Sequence, residues 1–136
     1  MKPREGKDFR TKTSIQVTNW MVVGFNRFCQ ERSFFRDGLL ENLVRWRLDT
    51  FDQMVATQFT QRERTEYRFR KVLGDSGPTE VICLRMDSRV TKRAKATGLG
   101  LTWIVEGILG NLVSGNKQLE WNEDKSYWML VDREKL

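Results

Sequence analysis

The residues best placed to do chemistry are basic side chains that gather in two parts of the chain. Five of them precede a short alternating segment and five accompany a second one: Lys2, Arg4, Lys7, Arg10 and Lys12, then Arg85, Arg89, Lys92, Arg93 and Lys95. With 24 lysines and arginines against 18 acidic residues, the formal net charge is +6. Such clusters favour a polyanionic partner, either a nucleic acid or an acidic membrane surface.

Residues typical of enzymes and metal sites are scarce by comparison. The chain of 136 residues has no histidine, which removes the commonest general base and the usual partner of a serine or cysteine nucleophile. Cys29 and Cys83 form neither a CxxC pair nor a cluster with histidine, so no zinc site or disulfide framework is indicated. The glycine-rich residues 97–102 (TGLGLT) lack the GK[ST] of a phosphate loop. We therefore expect no enzymatic activity, no cofactor and no metal.

The elements that would position the basic residues occur twice in the sequence. Residues 33–44 (SFFRDGLLENLV) are similar to residues 102–113 (TWIVEGILGNLV) at an offset of 69 residues. Without gaps, the same offset aligns the alternating segments TSIQVT and ICLRMD, whose pattern predicts half-buried strands. Each copy thus predicts a strand, a short helix, a turn and a longer helix.

Helix boundaries and faces follow from residue types in each copy. Asn19 and Ser88 are expected to cap the short helices, and Ser33 and Thr102 the longer ones, because a side-chain oxygen can accept from the first amides of a helix. Apolar residues at helical spacing predict the buried faces. For the longer helices these are Phe35, Leu39, Leu40 and Leu43, then Ile104, Ile108, Leu109 and Leu112.

Strand, helix, helix with this spacing resembles the ribbon-helix-helix (Arc, MetJ and CopG-like) superfamily of DNA-binding proteins. The second copy, VICLRMDSRVTKRAKATGLGLTWIVEGIL, is the better match: a polar residue closes the strand and is followed by a basic helix, a glycine turn and a second helix. The resemblance implies an α+β, mostly helical fold in which two units share one core, as a tandem pseudo-dimer. Residues 13–17 and 82–86 would then pair as a two-stranded antiparallel ribbon.

The resemblance also implies which residues contact DNA. If Ile15 and Val17 face the core, period-two geometry turns the alternate side chains of both strands outward. The expected base contacts are Lys12, Ser14, Gln16, Val81, Cys83 and Arg85. In the family, amides at the start of the second helix bind a phosphate, which here implies Ser33, Phe34, Thr102 and Trp103. Arg89, Lys92 and Arg93 are further candidates for phosphate contacts.

The remaining segments complete the predicted organisation. We expect a basic N-terminal arm at residues 1–11, a first unit at 12–48, a helical and basic connector at 49–79, a second unit at 80–114 and an extension at 115–136. A linker helix and a C-terminal hairpin turning near residues 122–125 are expected as well. Trp121, Tyr127 and Trp128 would form a separate cluster in that tail or a surface for another protein.

The function expected from these features is binding of double-stranded DNA as a sequence-specific transcriptional regulator, with copies able to associate side by side on DNA. Two alternatives remain open: an accessory protein that binds and bends DNA at the transfer origin in plasmid conjugation, and an antitoxin-like or adaptor protein that acts through protein binding. No apolar run approaches the length of a membrane helix, so no membrane partner is expected. The expected location is a bacterial cytoplasm, in association with the nucleoid when DNA is bound.

Overall fold

The computed structural model describes residues 10–55, 78–98 and 100–133. These residues form an α+β fold with four helices and two small antiparallel sheets. In chain order the elements are β1 (Arg10–Thr18), α1 (Asn19–Glu31), α2 (Arg36–Val55), β2 (Thr79–Asp87), α3 (Ser88–Ala96), α4 (Leu101–Val113), β3 (Lys117–Asn122) and β4 (Tyr127–Asp132). The order strand, helix, helix therefore occurs twice, and a hairpin follows.

Strands β1 and β2 form the sheet that we call the ribbon. They run antiparallel with Ile15 opposite Ile82, which confirms the predicted pairing of residues 13–17 with residues 82–86. Successive side chains of a strand point to opposite faces, and here the apolar ones turn to the same side. Ile15, Val17, Ile82, Leu84 and Met86 are buried beneath the ribbon.

The core under the ribbon is assembled from both halves of the chain. Each helix contributes its apolar stripe to one continuous cluster, because a two-stranded sheet has too little surface to be stable without packed helices. Its fully buried side chains include Met21, Phe25, Leu40, Leu84 and Leu109. Seven of the eight residues predicted for the buried faces of the longer helices are buried. Phe35 is the exception, with 65% of its surface exposed, because it precedes the first residue of α2.

The gapless repeat is only partly correct. The offset of 69 residues relates β1 to β2, and it also relates the first residue of α1 to the first residue of α3. Helix α1 then has 13 residues and α3 has 9, so the second copy is one helical turn shorter before the next element. As a result, Leu101 holds the place in α4 that Arg36 holds in α2. The similar residues 33–44 and 102–113 are therefore shifted by one helical turn relative to each other in the two units.

The C-terminal part follows the predicted pattern. Strands β3 and β4 pair antiparallel around a turn at residues 123–126, which confirms the hairpin. Helix α2 extends to Val55, so the helical part of the predicted connector begins as a continuation of the first long helix. Most of the basic arm predicted at residues 1–11 and most of the connector predicted at residues 49–79 lie outside the described residues. No single described helix is long and apolar enough to cross a membrane.

Candidate nucleic-acid interface

The outer face of the ribbon is the surface on which the predicted base contacts come together. Lys12, Ser14, Gln16, Val81, Cys83 and Arg85 are all exposed. The register sets them opposite one another as three pairs: Lys12 with Arg85, Ser14 with Cys83, and Gln16 with Val81. The two sequence segments therefore contribute to one continuous patch, although their residues lie far apart in the chain.

The first pair places two cations side by side. Directly opposite residues in an antiparallel sheet are close neighbours, and like charges in such positions repel one another. Among the described residues, neither the Lys12 ammonium nor the Arg85 guanidinium forms an ion pair. An anion placed over this pair would relieve the repulsion, so the pair favours binding of a polyanion at this end of the ribbon.

The other two pairs are held by hydrogen bonds across the strands. The Gln16 side-chain amide donates to Thr79 Oγ1 over 2.6 Å, which fixes the direction of an otherwise mobile side chain. Ser14 Oγ and Cys83 Sγ lie 3.4 Å apart at the middle of the patch. Val81 has 65% of its surface exposed and supplies the apolar part of the face. The patch thus consists of three pairs: two cations at one end, two small polar side chains in the middle, and an amide opposite an apolar side chain at the other end.

The start of α2 lies against the free edge of β2, a feature that the sequence patterns did not indicate. Arg36 Nη2 donates to the Cys83 carbonyl oxygen over 3.1 Å, and the Asp37 carboxylate accepts from the Arg85 amide over 2.9 Å. The same two side chains form an ion pair at 3.0 Å. Helix α2 therefore covers part of the exposed edge of the ribbon and fixes its own first turn beside the outer face.

Ser33 does not cap α2, and the reason lies in how α1 ends. Its φ of 58° is left-handed, and its amide donates to the carbonyl of Gln30 while the amide of Phe34 donates to that of Cys29. These two bonds are the helix-ending pattern known as a Schellman motif. Phe34 also stacks on Phe28, with ring centroids 6.2 Å apart. The amides of Ser33 and Phe34 are thus already bonded, and α2 begins three residues after Ser33, at Arg36.

The prediction for the second unit needs a smaller correction. The N-cap of α4 is Gly100, whose φ of 86° suits glycine, and Thr102 is the second residue of the helix rather than its cap. The first bond within the helix joins the Ile104 amide to the Gly100 carbonyl at 3.3 Å. Leu101, Thr102 and Trp103 form the first turn of the helix, and their amides lie at its N-terminal end. Two of these three belong to the predicted phosphate-contacting residues.

The short helices are capped one residue earlier than predicted. The N-cap positions are Thr18 and Asp87, not Asn19 and Ser88, and only Asp87 accepts from the helix with its side chain, from the Arg89 amide at 2.8 Å. Hydrogen bonds from the Arg89 side chain hold the pKa of Asp87 well below its usual range. Asn19 instead donates to the Glu80 carboxylate.

The basic residues of α3 are partly engaged with acidic neighbours. Arg89 forms an ion pair with Asp87 at 2.6 Å, and Arg93 forms one with Asp49 at 3.1 Å. Lys92 is exposed on the same helix. Of the three predicted phosphate contacts in α3, two therefore lie in ion pairs with acidic residues.

The aromatic residues of the tail are joined to the rest of the molecule rather than forming a separate cluster. Trp128 packs edge-on against both Trp121 and Phe34, at 5.3 and 5.4 Å between ring centroids. Its backbone exchanges two hydrogen bonds with the side chain of Asn42 in α2. The hairpin is thus anchored to helix α2, and among these aromatic residues Trp121 is the most exposed, at 42%.

Comparison of the chain with protein-family models, with curated proteins and with solved structures gives no match. Any assignment of function therefore depends on the geometry and charge of the ribbon and its surroundings.

Proposed function

We propose that this chain is a tandem ribbon-helix-helix protein that binds double-stranded DNA sequence-specifically and regulates transcription. One observation carries the proposal: two segments of one chain pair as an antiparallel ribbon whose apolar side is buried and whose other side presents six exposed, mostly polar residues. A surface of this shape fits a partner with a matching groove. The major groove of duplex DNA admits a two-stranded ribbon.

The side chains on that face have the chemistry that base edges require. An arginine or a lysine can donate hydrogen bonds to O6 and N7 of guanine. The side-chain amide of a glutamine can accept from N6 and donate to N7 of adenine. Lys12, Arg85 and Gln16 supply these groups, while Val81 can contact the methyl group of thymine. Because each base pair shows a different pattern in the major groove, such contacts would give sequence preference rather than general affinity for charge.

The surroundings of the ribbon supply contacts of the kind that position a protein on the DNA backbone. The backbone amides of the first turn of α4 lie at the start of the helix, and a helix start attracts anions. Lys92 on α3 adds an exposed positive charge. Contacts to phosphates carry no sequence information, but they fix the register in which the ribbon enters the groove.

Selection from a pool of random duplexes, followed by affinity measurements on an enriched and a scrambled duplex, tests the proposal. We expect enrichment of a defined sequence by the native chain. Arg85→Ala should weaken binding to the enriched duplex about 5- to 150-fold, the range for loss of one good bidentate contact. Binding to the scrambled duplex at low salt should persist, because phosphate contacts remain.

Lys125→Ala is the matched control, since it also removes one exposed positive charge but lies in the turn between β3 and β4. It should leave binding to the enriched duplex nearly unchanged. Equal losses on enriched and scrambled duplexes for Arg85→Ala would show that this residue contacts only the backbone. Absence of any duplex binding at low salt would contradict the proposed function itself.

A further inference from the structure

The middle pair of the ribbon lies on the approximate symmetry axis that relates the two strands. Ser14 and Cys83 occupy equivalent positions in the two units, 69 residues apart, and they are also direct cross-strand partners. An approximate two-fold axis that exchanges the strands must therefore pass between these two residues. In a dimer of identical chains, the two sides of such an axis would carry identical side chains.

In this chain the two sides of the axis differ. On one side lie Lys12 and Arg85, and on the other lie Gln16 and Val81. We call these the cationic end and the neutral end of the ribbon. The two cations among the six predicted base contacts, Lys12 and Arg85, thus lie in the same half of the surface that faces the proposed groove.

The neighbouring elements extend this difference. Arg36 donates to the carbonyl of Cys83 on the edge of β2, and its counterpart in the second unit is the apolar Leu101. Helix α3, with Arg89, Lys92 and Arg93, begins where β2 leaves the cationic end. Helix α1 begins at the neutral end with Asn19 and Trp20.

Acidic residues near the ribbon lower this contrast but do not reverse it. At the cationic end they are Asp37, Glu41 and Asp87, and each of them pairs with an arginine. At the neutral end the carboxylates of Glu80 and Glu106 accept from Asn19 and Thr18. The net effect is a gradient of positive charge along the ribbon, from the neutral end to the cationic end.

We propose that the DNA site of this protein is not palindromic and is bound in one orientation. Its two halves differ in the bases they require: guanine under the cationic end, where Lys12 and Arg85 can donate to O6 and N7, and A·T pairs under the neutral end. There Gln16 bonds adenine and Val81 contacts the thymine methyl. This inference rests on the proposed function, and it names the class of sequence that the same surface recognises.

A variant that makes the two halves alike gives the sharpest test. Gln16→Arg combined with Val81→Lys places a lysine, a small residue and an arginine on each strand, so the outer face becomes nearly symmetric about the axis. Both positions are exposed, so the core is unchanged, and a matching thermal midpoint would verify the fold. Duplexes selected by the native chain should show one guanine-containing half and one A·T half. Those selected by the double variant should become inverted repeats with guanine in both halves.

The outcomes separate this inference from the function on which it rests. A palindromic sequence selected by the native chain would overturn the inference and leave DNA binding intact. The inference would also fail if the double variant selected the same sequence as the native chain. Failure of the native chain to bind any duplex at low salt would remove the proposed function instead. Lys125→Ala should select the native sequence, which controls for a change in charge elsewhere.

Discussion

The ends of the two ribbon strands make the same backbone contact in different chemical settings. At the end of β1, the amide of Thr18 donates to Glu106 of α4 at 2.8 Å, and its hydroxyl donates to the same carboxylate oxygen at 2.7 Å. At the end of β2, the amide of Asp87 donates to Glu41 of α2 at 2.5 Å. Each longer helix thus holds the strand end of the other unit.

The difference between the two ends lies in how charge is accommodated. Thr18 and Glu106 are both buried, and the hydroxyl donor satisfies part of the carboxylate. Asp87 brings a second carboxylate close to Glu41, and Arg45 and Arg89 pair with it at 3.1 and 2.6 Å. The same backbone arrangement is therefore stabilised by two uncharged donors on a single carboxylate in one unit and by an ion-pair network in the other. Corresponding positions need not keep the same residue type.

The largest predicted effect is loss of the buried contact. Glu106→Ala should lower the free energy of unfolding by about 2 to 4 kcal/mol, because it removes the buried carboxylate that accepts from both the amide and the hydroxyl of Thr18. Glu41→Ala should cost only about 1 to 2 kcal/mol, because the Glu41 side chain is already 20% exposed and water can replace it. Urea denaturation measures both values. Equal losses would show that the two ends are equivalent after all.

The second prediction is that the stability contributed at the two strand ends differs in its dependence on pH. Asp87→Ala should cost about 1 to 2 kcal/mol through loss of the N-cap of α3, while asparagine, also a good N-cap, should cost less at neutral pH. Since the folded state lowers the pKa of Asp87, its stabilisation is present above the ordinary pKa of about 3.8 and declines as the pH falls below it.

The acid response should therefore follow Asp87 and not the corresponding Thr18, which has no ionisable side chain. In thermal unfolding from pH 6 to pH 2, the native chain should lose more stability than Asp87→Asn. Parallel pH profiles for the two chains would show that the ion-pair network at the end of β2 is not the source of this stability.

Two helical glycines test how closely the units approach each other. A Cβ at Gly24 of α1 would lie 2.3 Å from Val113 Cγ1, whereas a Cβ at Gly107 of α4 meets nothing within 4 Å. Gly107→Ala should stabilise the fold by about 0.5 to 1 kcal/mol through helix propensity. Gly24→Ala should instead destabilise it by about 1 kcal/mol, because overpacking outweighs that gain. Adding Val113→Ala should recover part of the loss in denaturant titrations if the clash is its cause.

The smallest expected effect concerns the turns between the helices. Ser33 and Gly98 hold corresponding places after α1 and α3, and both have left-handed φ values, of 58° and 78°. Ser33→Gly should change stability by a gain of at most about 1 kcal/mol, since the left-handed strain of a non-glycine residue is removed. Ser33→Ala is the control and should be no more stable than the native chain. A clear loss of stability on Ser33→Gly, seen as a lower thermal midpoint, would argue against strain at this residue.

Local patterns in the sequence were sufficient for the strands and most of the core, whereas the pairing of the strands was predicted from the family resemblance. Period-two alternation identified Ile15, Val17, Leu84 and Met86, and an apolar stripe gave the buried face of α4, because burial is what imposes both periods. The errors lie at helix ends. A serine before an apolar run suits an N-cap, but Ser33 follows a helix that ends in a left-handed turn, and residue types alone do not separate these cases.

Contacts between distant elements were not accessible from the sequence. Arg36 and Asp37 carry no sequence signal beyond their basic and acidic types. Their bonds to the edge of β2 depend on how α2 packs against the ribbon. The same holds for Glu106, whose acidic type alone gives no sign that it is buried against Thr18. Such side chains are recognised only when tertiary packing brings their partners together.

Methylation interference on an enriched duplex tests the central claim, that the outer face of the ribbon contacts bases in the major groove. Methyl groups at guanine N7 lie in the major groove, and those at adenine N3 lie in the minor groove. We predict interference at guanine N7, with at least one such position lost in Arg85→Ala and retained in Lys125→Ala. Interference confined to adenine N3, or a guanine pattern that is identical for the native chain and Arg85→Ala, would contradict the claim.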